Sequence, residues 1–300
     1  MSYGQPDQPR LCLVHLARAQ NGVEPLRSFL ASYREHPAGV DHELLIVFKG
    51  FRKPLPPEYE WALAGLPHSR RFVDDRGLDV DVYVETARAV PCDVFCFVNS
   101  YSVILVDDWL RKLHDALQLD GVGLVGASGT WQSHFRSYFD PALLAEGAAR
   151  RPNWKKILLR WFPWLKTLRN LPREWHWRGF KEFPNYHVRT NAFMLRRDTA
   201  VRIHLAPTRS KTDAYLFESG RRGLTNQVLE MSMRALIVDA DGKTYEMPDW
   251  HASNTFWRGS QERLLVADNQ SRAYDNADPE RRRDLSMYAW GPEADSTPTR

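Results

Sequence analysis

Asp93-Val-Phe-Cys-Phe-Val-Asn99-Ser100-Tyr101-Ser102 decides how the rest of the chain is read. The apolar run Val94–Val98 ends abruptly in small polar residues. A strand buried on both faces of a parallel sheet reads as such a run. Polar residues at its carboxyl end stand where open α/β sheets bind their ligands. Asp107-Asp108-Trp109-Leu110 follows and begins an amphipathic helix over Trp109–Gln118.

Working outward, apolar runs alternate with helical spacing in both directions. Upstream, Leu11–Leu16 reads as a strand and Val23–Glu35 as a helix, with Val23, Leu26, Phe29, Leu30 and Tyr33 on one face. His42–Lys49 is a second buried strand, Pro57–Leu66 a helix, Ser69–Val73 a short strand and Asp79–Ala89 a helix. Downstream, Gly121–Ala127 and Val188–Leu195 read as strands, Gly223–Met233 as part of a helix and Ala235–Val238 as a late strand. This order predicts a doubly wound α/β fold with a mostly parallel sheet and right-handed crossovers.

With 300 residues, 43% of them hydrophobic, the chain can build one substantial core. A net charge of +4 is too small to argue for nucleic acid. No apolar run approaches the roughly 20 residues of a spanning helix, and Met1–Arg10 has no signal-peptide core, so a cytoplasmic protein is expected. Cys12, Cys92 and Cys96 lie in or beside apolar runs without zinc spacing, and read as buried reduced thiols. Residues 1–10 are expected to be flexible, 11–276 to form a single domain, and the charged 277–300 to be a loosely ordered tail. Within the domain, 131–186 stands out as an aromatic and basic helical insertion between the halves 11–130 and 187–276. Its stretch Trp154–Lys166 has the composition of a helix at a membrane surface, or of a packed excursion with Trp buried and Lys exposed.

The strand Val94–Val98 with its polar end resembles that of family 2 nucleotide-sugar glycosyltransferases of the GT-A, Rossmann-like type, where an Asp-x-Asp-like motif closes the strand. The resemblance covers residues 11–240 and implies sugar transfer from a nucleotide-diphosphate donor to a glycan or lipid-linked acceptor hydroxyl. Direct displacement would invert the anomeric centre, in cell-envelope or surface glycan synthesis, with peripheral membrane contact through 154–166. Residues 11–130 would then hold the donor and 187–276 the acceptor. Asn99-Ser100-Tyr101 stands where the acid is expected. That leaves three outcomes open: Mn or Mg held by other acids, a diphosphate neutralised by Arg or Lys, or a silent module that binds a glycan or a protein partner.

The resemblance also implies residue roles. Asp74, Asp75 and Asp79, around Gly77, would meet base and ribose, although Asp79 equally reads as a helix cap with Asp81 in the first turn. Asn99 and Tyr101 would face the donor. His187, Arg189 and Asn191 alternate along one predicted strand and would share a face. Arg189 would clamp the diphosphate through its guanidinium fork, while His187 and Asn191 would face the acceptor. Glu218, with Asp213 as the alternative, would be the base that deprotonates the acceptor. Trp250 or Trp257 would stack on a sugar face. No Gly-x-Gly-x-x-Gly follows the first strand, which argues against a dinucleotide enzyme.

Overall fold

Val94–Val98 is a strand with all of its residues buried, and the sheet grows from it on both sides. The computed structural model describes residues 9–135, 178–206 and 210–291. Its strands are β1 (Leu11–Arg18), β2 (Glu43–Lys49), β3 (Ser69–Val73), β4 (Val94–Val98), β5 (Val103–Ile104), β6 (Val122–Gly126), β7 (Gly129–Thr130), β8 (His187–Val188), β9 (Ala192–Arg196), β10 (Arg234–Val238), β11 (Thr244–Tyr245) and β12 (Val266–Ala267). Its helices are α1 (Glu24–Glu35), α2 (Pro57–Leu63), α3 (Asp79–Ala89), α4 (Trp109–Leu117), α5 (Arg197–Arg202), α6 (Lys211–Ser219), α7 (Leu224–Glu230), α8 (Asn269–Asp275) and α9 (Pro279–Trp290).

The main sheet has the order β11-β10-β6-β9-β4-β1-β2-β3. Strands β1, β2, β3, β4, β6 and β10 run the same way, and β9 and β11 run against them. The chain winds outward from β1 through β2 to β3, then returns to place β4 on the other side of β1. That reversal puts the topological switch point, where open sheets bind ligands, between the carboxyl ends of β1 and β4.

Side-chain alternation covers both faces of the sheet. Leu11, Leu13, Val94, Cys96 and Val98 pack with Phe29, Leu30, Tyr59, Trp109 and Leu113 from α1, α2 and α4. Cys12, Val14, Leu16, Phe95 and Phe97 pack with Val80, Tyr83, Ala200 and Val228 from α3, α5 and α7. Each such side chain contributes about 1.5–3 kcal/mol by burial. The three cysteines are buried and free.

Two expectations need correction. Val188–Leu195 is not one strand: it splits into β8 and β9, which belong to different sheets. Between them Arg189 N donates to Ser128 O, Thr190 N to the Glu218 carboxylate, and Asn191 O accepts from Asn99 N. The backbone therefore leaves the strand ladder, and Asn191 does not share the face of His187 and Arg189. The chain from 277 to 291 is not loose either, because Pro279–Trp290 is a helix that buries Leu285, Ala289 and Trp290. Its charges, Arg281 to Asp284, had disguised a start signal: Asp278 caps the helix and Pro279 begins it. Trp290 Nε1 donates to Phe256 O at 2.8 Å, and Thr130 Oγ1 to Ala289 O at 3.1 Å.

Residues 1–8, 292–300 and 136–177 lie outside the described residues, and with them most of the expected insertion and the whole of 154–166. Among the described residues, no helix is long and apolar enough to cross a membrane.

Candidate active site

Two groups of polar side chains flank the switch point. The first lies at the carboxyl ends of β1 and β2. Arg18 closes β1 and donates through Nε to Asp75 Oδ1 at 3.1 Å, while Gln20 Nε2 donates to Asp75 Oδ2 at 2.9 Å. Lys49 closes β2 with its side chain fully buried. Its Nζ donates to Gly77 O at 2.8 Å and stands 3.6 Å from Asp79 Oδ1. That oxygen is buried and has no hydrogen-bond partner. Burial pushes the Lys49 ammonium below its ordinary pKa, with Asp79 opposing the shift. Gly77, at φ +65°, supplies the left-handed turn that brings its carbonyl to Lys49.

The expected donor residues divide on this frame. Asp75 is held by Arg18 and Gln20 and Asp79 stands beside Lys49, but Asp74 is exposed and pairs with its neighbour Arg76. Asp79 is not the cap, because Asp81 accepts the Leu78 N–H at 2.5 Å. Asn99 Oδ1 is turned into its own loop, accepting from Tyr101 N at 2.9 Å and Ser102 Oγ at 3.1 Å. Tyr101 is exposed. Ser100 Oγ donates to Leu16 O at 2.7 Å, which ties the end of β4 to β1 at the switch point.

The second group surrounds a cavity of about 550 Å³. Glu218, near the end of α6, is held by the segment that breaks β8 from β9. Its Oε1 accepts from Thr190 N at 2.6 Å and Thr190 Oγ1 at 3.1 Å. Ala192 pairs with Val98 in the sheet, so this carboxylate sits just beyond the carboxyl end of β4. His187 and Arg189 line the same cavity, together with Trp257. His187 Nδ1 donates to Asn185 O at 2.8 Å, which leaves Nε2 as the acceptor nitrogen. Burial lowers its pKa to about 4, and that of His134 likewise, so both rings are neutral near pH 7.

Arg189 is not poised over a phosphate. Its Nη2 donates to Asp268 Oδ2 at 2.7 Å and Gln270 Oε1 at 3.0 Å, and its guanidinium lies 3.8 Å from the Phe256 ring centroid. Burial alone would raise the Asp268 pKa, but Arg189 and the Ser271 amide outweigh it and hold it low. Asn191 is no acceptor contact, since Oδ1 accepts from Ser128 Oγ and Nδ2 donates to Val266 O inside the protein. Trp250 is a core residue, fully buried, with Nε1 donating to Tyr245 O. Asp213 caps α6 by accepting from Ser210 N and Oγ, which removes it as a base. Tyr83, on α3, links the two groups: burial raises its pKa, and Asp79 and Glu218 add to the shift.

No model of a known protein family matches this chain, and no curated protein does. Among solved structures it is similar to a mannosyltransferase from Pyrobaculum calidifontis in complex with GDP-Man and Mn2+. The identity is 14% and the TM-score 0.46, over 94% of this chain and 70% of that one. It is also similar to glucosyl-3-phosphoglycerate synthase from Mycobacterium tuberculosis in complex with Mn2+, UDP and phosphoglyceric acid. There the identity is 15% and the TM-score 0.38, and 73% of this chain spans 62% of that one. A third is 4-diphosphocytidyl-2C-methyl-D-erythritol synthase from Anaerococcus prevotii, at 11% identity and TM-score 0.43, over 82% of this chain and 97% of that one.

A divalent metal does not fit the side chains at the end of β4. Mn and Mg want several charged oxygens, but Asn99 offers a neutral oxygen already hydrogen-bonded and Tyr101 a phenol. Among the described residues, no three His, Cys, Asp or Glu side chains converge. Several site residues were missed from sequence. Gln132, His134, Tyr215 and Asn276 line the cavity, and Lys49 with Arg18 closes the strands opposite. A charged residue ending an apolar run, as Lys49 ends Leu-Leu-Ile-Val-Phe, was the available signal.

Proposed function

We propose that this chain is a glycosyltransferase, moving a sugar from a nucleoside-diphosphate donor to an acceptor hydroxyl with inversion. The observation that carries the reading is Glu218, a carboxylate anchored to the main chain just beyond the carboxyl end of β4, in the wall of a cavity. In this reading the donor lies across the β1–β4 switch point. Asp75, and Asp79 beside Lys49, accept hydrogen bonds from its base or ribose. The acceptor occupies the cavity. Its oxygen attacks the anomeric carbon, its proton passes to Glu218 Oε2, and the bond to the diphosphate breaks with both electrons leaving on the phosphate oxygen. Each of Arg18 and Arg189 is paired with an Asp, but Arg18 is the more exposed and stands at the switch point, so it is the better placed to meet the leaving charge. Envelope-glycan synthesis and membrane contact through 154–166 belong to the same reading as its biological setting.

A screen of UDP-, GDP- and dTDP-sugars, scored by thermal shift and by nucleoside-diphosphate release, tests it. A ligand of the folded state raises the melting temperature, and at least one donor class should both stabilise the protein and turn over. Asn99 and the lack of a convergent metal set among the described residues favour a second reading, a silent module that binds a glycan or protein. Stabilisation by a nucleotide sugar without turnover under any acceptor or metal would decide for it.

A further inference from the structure

Both helices that wall the cavity, α8 and α9, begin at it, and both N-termini are already occupied by carboxylates of the chain. Asp268 Oδ1 accepts from Gln270 N at 3.1 Å and Ser271 N at 2.9 Å, and Asp278 Oδ1 accepts from Arg281 N at 2.9 Å. Free helix N-termini are ready-made anion sites; capped by Asp, they are not. The cationic side chains of the wall are likewise balanced. Arg189 is paired with Asp268, and Arg281 shares the wall with Asp278 and Glu218. His134 and His187 are neutral.

What remains on the described wall is hydrogen-bonding capacity with one carboxylate in excess and no cation to spare. Gln132, Asn269, Gln270 and Asn276 bring four primary amides to the described wall. Part of that capacity is used inside the protein, since Gln270 Oε1 accepts from Arg189 and Asn276 Nδ2 donates to Arg272 O, and the Asn269 amide, the Gln270 Nε2 donors and Asn276 Oδ1 remain to meet vicinal hydroxyls. Tyr215 and Trp257 add aromatic surface for the CH face of a pyranose. The volume of about 550 Å³ lies within the range of small-molecule sites, roughly 300–1,000 Å³.

We infer that the cavity takes an uncharged saccharide as acceptor, and discriminates against phosphorylated or carboxylated acceptors. This rests on the transferase reading for the word acceptor, but not for the chemistry of the pocket. The test is saturation-transfer NMR and tryptophan fluorescence on the full chain without donor. The probes are methyl hexosides and neutral disaccharides on one side, and glucose 6-phosphate, 3-phosphoglycerate and glucuronate on the other. Donor hydrolysis by water is followed in parallel.

The expected result is binding of at least one neutral sugar, with each charged probe at least tenfold weaker. The double variant Asn269→Ala, Asn276→Ala, which alters two exposed side chains, should lose tenfold or more of that binding while melting like the parent. Tighter binding of a charged probe would overturn the inference. So would failure of every saccharide in a protein that still hydrolyses a nucleotide sugar, a result that leaves the transferase reading standing. Sugar binding without any nucleotide response would support the pocket chemistry and overturn the transferase reading instead.

Discussion

His15 should make the protein acid-labile, and replacing it should remove that lability. It lies in the middle of β1, fully buried, with neither ring nitrogen hydrogen-bonded, stacked on Phe29 at 3.9 Å between centroids. Burial lowers its pKa to about 3. The unfolded chain titrates near ~6.5, so protons bind the unfolded state first as the pH falls. The stabilisation is therefore complete above the unfolded value and drains away between there and the folded pKa. At pH 5 the unfolded form has gained about 1.5 log units of proton binding, or about 2 kcal/mol. His15→Leu keeps an apolar side chain against Phe29 and deletes the titration. Urea unfolding of both proteins at pH 7.5 and 5.0 reads the difference. His134 and His187 titrate in the same window but are present in both, so they cancel. The variant should gain about 2 kcal/mol on the parent between the two pH values. Equal losses in the two proteins would refute the reasoning, by showing that His15 is hydrated or partnered in the folded state.

Other expected outcomes follow from the site. Glu218→Gln should keep the Thr190 hydrogen bond, melt within about 2 °C of the parent and lose roughly 10²–10⁴ in kcat with little change in donor KM, as steady-state nucleotide release would report. Asp213→Ala should cost about 1 kcal/mol through loss of the α6 cap and leave kcat unchanged, measured by melting and the same assay. Asp268→Ala should cost about 3–5 kcal/mol because it strands Arg189 as a buried charge; the pair Arg189→Met, Asp268→Leu should recover much of the loss in urea unfolding.

The sheet was legible because periodicity reports burial, and burial is what a doubly wound sheet imposes. Ser69–Val73, Asp79–Ala89 and Val94–Val98 form the elements their apolar spacing predicts. Glu218, expected from its place before a helix that follows the acceptor-side strand, lines the cavity. The split at 189–191 was not, because it depends on Asn99 and Glu218 capturing backbone groups from distant parts of the chain. Periodicity says nothing of such pairs. Trp250 was misread for a related reason. An aromatic residue in a loop looks the same whether it meets a ligand or, as here, fills the space above Gly129, where a Cβ would lie 2.6 Å from the Trp250 ring.

The helix α9 has a consequence for the order in which the molecule becomes competent. The last strand of the main sheet, β11, ends at Tyr245. The cavity wall runs on through Asn269, Gln270 and Asn276 to Arg281 and Leu285. During synthesis, then, every strand of the scaffold is made before the site has its far wall. A chain stopped after β12 would contain every strand of the sheet and Glu218, but the far wall of the cavity would be missing. The framework and the enclosure are written in separate parts of the chain, and they are joined where Leu285, Ala289 and Trp290 of α9 pack into the core that β1 and β4 share.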